Sequence, residues 1–95
     1  MAAYIIAMVD VHDTEKYKNY MALASQACQE HAGTYLVRGG DKEVLEGDFP
    51  GDRVVILSFE SFDQARAFYH SATYQAGKKA REGAANFNMM IVQGA

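Results

Sequence analysis

One cysteine, one proline and no tryptophan stand among the 95 residues. Cys28 alone can close no internal disulfide and can build neither a thiolate metal site nor an iron–sulfur cluster, a usage that fits a reducing cytoplasm. Positive charge is scarce as well. Nine Lys and Arg face twelve Asp and Glu, a net charge of −3, so no basic surplus exists to neutralise a nucleic-acid backbone or an anionic membrane. The aromatic RNP1-type segment of RNA-binding βαββαβ domains is missing too. The apolar residues 2–9 fall far short of the roughly 20 that cross a bilayer. The first basic residue, Lys16, follows the acidic Asp10 and Asp13, unlike the basic start of a secretory leader. A cytoplasmic location is the expectation, with neither nucleic acid nor membrane as partner. Nucleotide binding is unsupported, because Gly39-Gly40 lacks a third glycine and a following helix.

What the sequence does hold is a core. Hydrophobic residues make up 49% and charged residues 22%, ordinary for a globular chain, and the length predicts one domain over residues 1–95. Residues 4–9, rich in β-branched and aromatic side chains, read as a first strand. Asp13 is a fitting N-cap, and Tyr17, Tyr20, Met21, Ala24, Ala27, Cys28 and His31 then recur at helical spacing until Gly33. Residues 34–38 predict a second strand, bent at Gly39-Gly40 and resumed at residues 43–46. Pro50-Gly51-Asp52 predicts a turn, and residues 53–59 the strongest strand. Ser61 with Gln64 matches a capping box for a second helix, Ser71 recaps a further helical segment weakened by Gly77 and Gly83, and residues 87–92 close the chain as a strand.

The order β-α-β-β-α-β predicts an α+β, ferredoxin-like domain: an antiparallel sheet with its helices on one face. Ile5, Ala7 and Val9 then point one way and Tyr4, Ile6 and Met8 the other, while Val55, Leu57 and Phe59 oppose Val54 and Ile56. Both faces are apolar. A sheet with one wet face alternates apolar with polar, so the side without helices needs a cover, and a second copy packed face to face supplies it. An obligate homodimer is the expectation.

Residues 31–40 (His-Ala-Gly-Thr-Tyr-Leu-Val-Arg-Gly-Gly), Glu43-Val44-Leu45-Glu46-Gly47, Arg53-Val54-Val55 and Ser71-Ala72-Thr73-Tyr74-Gln75 with Arg81 resemble the bacterial family known as domain of unknown function 1330. The resemblance spans nearly the whole chain and departs at Ala32, where the family carries the first glycine of a pair. It implies a dimeric α+β barrel, a fold shared with cofactor-independent monooxygenases, haem-degrading enzymes and isomerases. Fold does not supply a reaction.

Several side chains are candidates for chemistry. Arg38, beside two glycines, can hold a carboxylate or enolate with its guanidinium fork, or pair with Asp41 or Glu46 at the surface. Glu46 can act as a general base, or orient Arg38 or Arg53. His31 can move a proton, or simply sit at the negative end of a helix dipole. Tyr17 can donate to a substrate carbonyl in a cleft beneath the helices, or pack as core. Ser71 and Tyr74, three residues apart, present two hydroxyls to one ligand oxygen if the helix continues; otherwise Ser71 is a cap. Arg81 reads as part of a solvated face with Glu82, or as an anion contact. Arg38, Glu46 and His31 are thus the catalytic candidates, and Tyr17, Ser71, Tyr74 and Arg81 the substrate-binding ones. The acidic stretch Asp10, His12, Asp13, Glu15 lacks metal-ligand spacing, and His12, His31 and His70 carry no haem-attachment motif. No metal or cofactor is expected. The function expected is an enzyme of monooxygenase or isomerase type acting on a small carbonyl or aromatic metabolite, with a non-catalytic binding or structural module as the alternative.

Overall fold

A computed structural model describes all 95 residues. Strand β1 (Ala3–Val11) leads into helix α1 (Thr14–Glu30), and strands β2 (Thr34–Arg38) and β3 (Arg53–Phe59) follow. Helices α2 (Phe62–His70) and α3 (Ala72–Ala80) then precede strand β4 (Ala85–Gln93). The sheet order is β2-β3-β1-β4 with every pairing antiparallel, the ferredoxin-like arrangement expected from the element order. No helix is long and apolar enough to cross a membrane.

The caps are those the sequence offers. Asp13 Oδ1 accepts from Lys16 N, and Ser61 and Ser71 Oγ accept from the backbone N–H groups of Gln64 and Tyr74, each at 3.1 Å. Ser71 ends α2 and starts α3, so the helix continues through Gly77. One part of the capping box differs. The Gln64 amide donates 2.8 Å to the His31 carbonyl, tying the start of α2 to the end of α1. That end is a left-handed turn: Ala32 has φ 54, Gly33 N donates to Cys28 O and Ala32 N to Gln29 O. Ala32 thus occupies the left-handed position that favours glycine. Gly33 is required by space instead, since a Cβ there would lie 2.6 Å from the Phe59 ring.

The strands sort their side chains as expected. Ala3, Ile5, Ala7, Val9, Leu57 and Phe59 are buried beneath Tyr17, Tyr20, Ala24, Ala27, Cys28, Ala65, Phe68 and Tyr74 of the helices. On the opposite face Tyr4, Ile6, Met8, Val54 and Ile56 are half-buried, while Met90 and Val92 are exposed. Helices cover one face only.

Two departures from the sequence reading matter for the site. Residues 43–46 form no strand, and the whole of residues 39–52 is loop. Gly39 has φ 70, which turns the chain out of the sheet. The loop returns across β1, where a Cβ on Gly51 would lie 2.5 Å from Val9 N. Asp52 N donates to Asp10 Oδ1 and the Asn88 amide to Pro50 O. The second departure is a bulge inside β2. Tyr35 pairs with Leu57, but Val37 pairs with Ile56 and Arg38 with Val55, so Leu36 is an extra residue. Strict alternation from Tyr35 would set Arg38 opposite Val54, on the bare face. The bulge places it on the helix side.

Candidate functional site

Between α1 and the sheet lies a small cavity of about 30 Å³, lined by Ile5, Ala7, Val55, Leu57, Met21, Ala24, Phe68, Phe87 and Met89, with Tyr17, Tyr20, Tyr35, Arg38 and Arg53 supplying polar atoms. The alternation of β1, β3 and β4 builds its floor. The helical spacing of Tyr17, Tyr20, Met21 and Ala24 builds its roof. Closed as it stands, the space is about that of one water molecule.

Two arginines sit at the β2–β3 end. Arg53 opens β3 in the same alternate set as Val55, Leu57 and Phe59, opposite Val9, and thereby faces the helices. Its guanidinium packs over Gly39, where a Cβ would be 2.2 Å from Nη1, and lies 5.9 Å from the Tyr17 ring centroid. The glycine beside Arg38 therefore makes room for Arg53. Arg53 Nε is buried and has no hydrogen-bond partner. Arg38, exposed, stacks 4.1 Å over the Tyr35 ring and donates from Nη2 to Ser25 Oγ at 2.7 Å. It spans the gap between β2 and α1. Neither arginine has a carboxylate within salt-bridge distance, the ion pairs being Lys18–Glu15 and Lys42–Asp52. Surface pairing of Arg38 with Asp41 or Glu46 does not occur.

Two of the phenols, Tyr17 and Tyr20, are held neutral. Burial raises the Tyr17 hydroxyl above the ordinary phenol range, against the opposing pull of Arg53. Tyr20 is raised further, by burial and by Tyr74, whose hydroxyl is 2.9 Å from its own. A neutral Tyr17 donates a hydrogen bond rather than accepting a proton. The cavity wall holds no histidine and no carboxylate.

The candidates named from sequence are dispersed. Arg38 and Tyr17 line the cavity, and no other candidate does. His31 Nδ1 is 2.9 Å from Ala27 O, and its ring stands 6.4 Å from that of Phe68. Glu46 belongs to the 39–52 loop and to a separate open cleft of about 810 Å³ against Met8 and Val54 on the bare side of the sheet. Ser71 Oγ is engaged as a cap and donates 2.7 Å to Phe68 O. Tyr74 is fully buried, its hydroxyl bonded to Tyr20 and to the Met89 sulfur at 3.4 Å. Arg81 is not solvated. It is 8% exposed and lies 3.4 Å over the Phe87 ring, with Tyr20 and Tyr74 on its flanks, and its Nη1 has no hydrogen-bond partner. The cation stands behind the aromatic wall. Sequence reasoning passed over Arg53 as a site residue. The signal was present: a charged residue in register with a buried alternate row.

Known proteins extend this picture. The chain is similar over 99% of its length to a protein of unknown function from Rhodopseudomonas palustris, at 17% identity and TM-score 0.77, covering 82% of that chain. It is similar to a dimeric ferredoxin-like protein of unknown function from Thermobifida fusca, at 16% identity and TM-score 0.60 over 96% of this chain and 89% of that one. A cofactor-independent oxygenase from Streptomyces nogalater, SnoaB, matches at 9% identity and TM-score 0.56 over 99% and 93%. At such identities the likeness concerns the fold. No curated protein matches the chain. The sequence profile of the domain of unknown function DUF1330 matches residues 2–95, and with the expected fold in place the chain belongs to that family.

Proposed function

We propose that this protein is a homodimer in which each subunit binds a small aromatic or carbonyl compound in the cavity beneath α1 and acts on it as an enzyme of monooxygenase or isomerase type. The observation that carries this reading is the buried Arg53 Nε, left without an acceptor beside Arg38 and the neutral Tyr17 hydroxyl. An unpartnered buried guanidinium nitrogen costs about 1–3 kcal/mol or more, and such donors are worth most where negative charge develops on a bound oxygen. The solved relative described as a cofactor-independent oxygenase supports the reaction class, and the relative described as dimeric supports the assembly. Three exposed apolar side chains of the 39–52 loop, Val44, Leu45 and Phe49, stand on the bare side of the sheet and fit a clasp around a second copy.

A second reading, a metabolite-binding module without turnover, is favoured by the lack of any histidine or carboxylate in the cavity wall. Incubating the protein with quinols, lactones and small carboxylates, with product formation and binding followed in parallel, separates the two. Turnover that falls at least about tenfold in Arg38→Ala, a transition-state loss near 1.4 kcal/mol, supports the enzyme. Saturable binding without product supports the module, and turnover indifferent to Arg38→Ala removes the residue's assigned role.

A further inference from the structure

Charge in the cavity is one-sided. Two guanidinium groups reach it, a third lies behind Phe87 and Tyr20, and no protein carboxylate compensates any of them. Neighbouring cations without counter-charge repel one another, and more so out of water. The remaining wall is apolar or aromatic apart from phenol hydroxyls, of which Tyr17 and Tyr20 are held neutral by burial. A ligand that relieves this arrangement brings a negative charge with it, because no wall residue is fit to take a proton from a neutral one. Its charged end meets two planar forks, which match the two coplanar oxygens of a carboxylate. A phosphate would leave oxygens facing the apolar wall, where unsatisfied polar atoms are costly.

Resting on the cavity as the ligand site, we propose that its substrate class is the planar organic anion: an aromatic or conjugated carboxylate whose oxygens are taken by Arg38 and Arg53 and whose apolar body lies against Leu57, Phe87 and Met89. Arg38 admits it. In the closed arrangement this exposed side chain is latched to Ser25 Oγ across the gap between β2 and α1, and exchanging that neutral acceptor for a charged one both opens the mouth and strengthens the bond. Ser25 is accordingly a latch and not a ligand contact.

Benzoate, its neutral isostere benzamide, and inorganic phosphate are the probes, titrated by calorimetry against the intact protein and against Arg38→Met, Arg53→Met and Ser25→Ala. Benzoate is expected to bind at least about tenfold more tightly than benzamide, the strength of one charge-assisted bond. Arg38→Met and Arg53→Met are each expected to remove about tenfold of benzoate affinity while leaving benzamide within about twofold, and Ser25→Ala to leave benzoate affinity equal or raised. Should Arg53→Met fail to fold, Arg38→Met, at an exposed position, decides the same point. Equal affinity for benzamide and benzoate overturns the anion assignment and keeps the cavity as the ligand site. Phosphate matching benzoate overturns the planar carboxylate. Failure of all three probes to bind overturns both the assignment and the cavity reading beneath it.

Discussion

The covered and bare faces of the sheet are made from similar side chains in the same strands, one residue out of phase, yet they have different fates. On the covered face, Ile5, Val9, Leu57 and Phe59 are sealed by helical tyrosines and phenylalanines, and the few polar groups that enter, Tyr17, Tyr20, Arg38 and Arg53, gather in one place. On the bare face, Ile6, Ile56, Met90 and Val92 have no such cover within the chain. Apolarity alone therefore does not define an interior. The covered face holds its arginines among aromatic rings, while the bare face leaves Met90 and Val92 exposed and sets its charged side chains at one end, in the cleft of the 39–52 loop.

The largest test of this contrast is Phe68→Ala, which empties the middle of the covered side and is expected to lower stability by about 3–5 kcal/mol in chemical denaturation; a loss under about 1 kcal/mol would mean that the helices contribute little to the seal. Next comes alkaline pH. Burial holds the Tyr20 and Tyr74 hydroxyls above the ordinary phenol range. Unfolded phenols lose their protons near pH 10 while the folded pair keeps them, so the unfolded state binds fewer protons and stability falls as pH rises beyond about 10. The slope approaches about 1.4 kcal/mol per pH unit for each hydroxyl, and a Tyr20→Phe, Tyr74→Phe double variant should flatten it in denaturant midpoints measured across that range. On the bare face, Ile56→Lys sets like charges against each other in a dimer and should weaken self-association by about tenfold or more, about 1.4 kcal/mol. Sedimentation at several concentrations reads this, and a wild-type chain that is monomeric throughout removes the role given to the face. The smallest effect lies at the corner between α1 and β2. Ala32→Gly relieves a left-handed alanine and should raise stability by up to about 1 kcal/mol in a thermal melt while altering neither face.

The architecture was legible because its signals are local. Asp13, Ser61 and Ser71 announce helix starts, and the alternation of β1 and β3 displays two apolar faces before any coordinates are known. The site was legible only in part, for three physical reasons. The Val44-Leu45 pair has strand-like composition, but a strand needs a partner, and Gly39 has already taken the chain out of the sheet. Arg81 is charged and follows two lysines, yet its position after α3 lays its guanidinium on the Phe87 ring of β4, a contact that helical spacing does not encode. Ser71 and Tyr74 do share a side of the helix, but the cap consumes the hydroxyl that was to serve a ligand. Arg38 was found through its composition and neighbours, while the bulge that aims it is silent in the local pattern. Arg53 sits in plain view at the head of a strand, in the same alternate row as Val55, Leu57 and Phe59, and its pairing opposite Val9 sets it facing inward.

The supernumerary Leu36 lets Tyr35 and Arg38, three positions apart, share one face of the sheet. Removing that single position would leave Val37 opposite Ile56 and Arg38 opposite Val55, the pairings they already have, whereas drawing Leu36 into a regular ladder would bring Arg38 opposite Val54 and swing its guanidinium to the outer side of the sheet. The guanidinium is thus aimed by how this stretch pairs with β3 and not by its length alone.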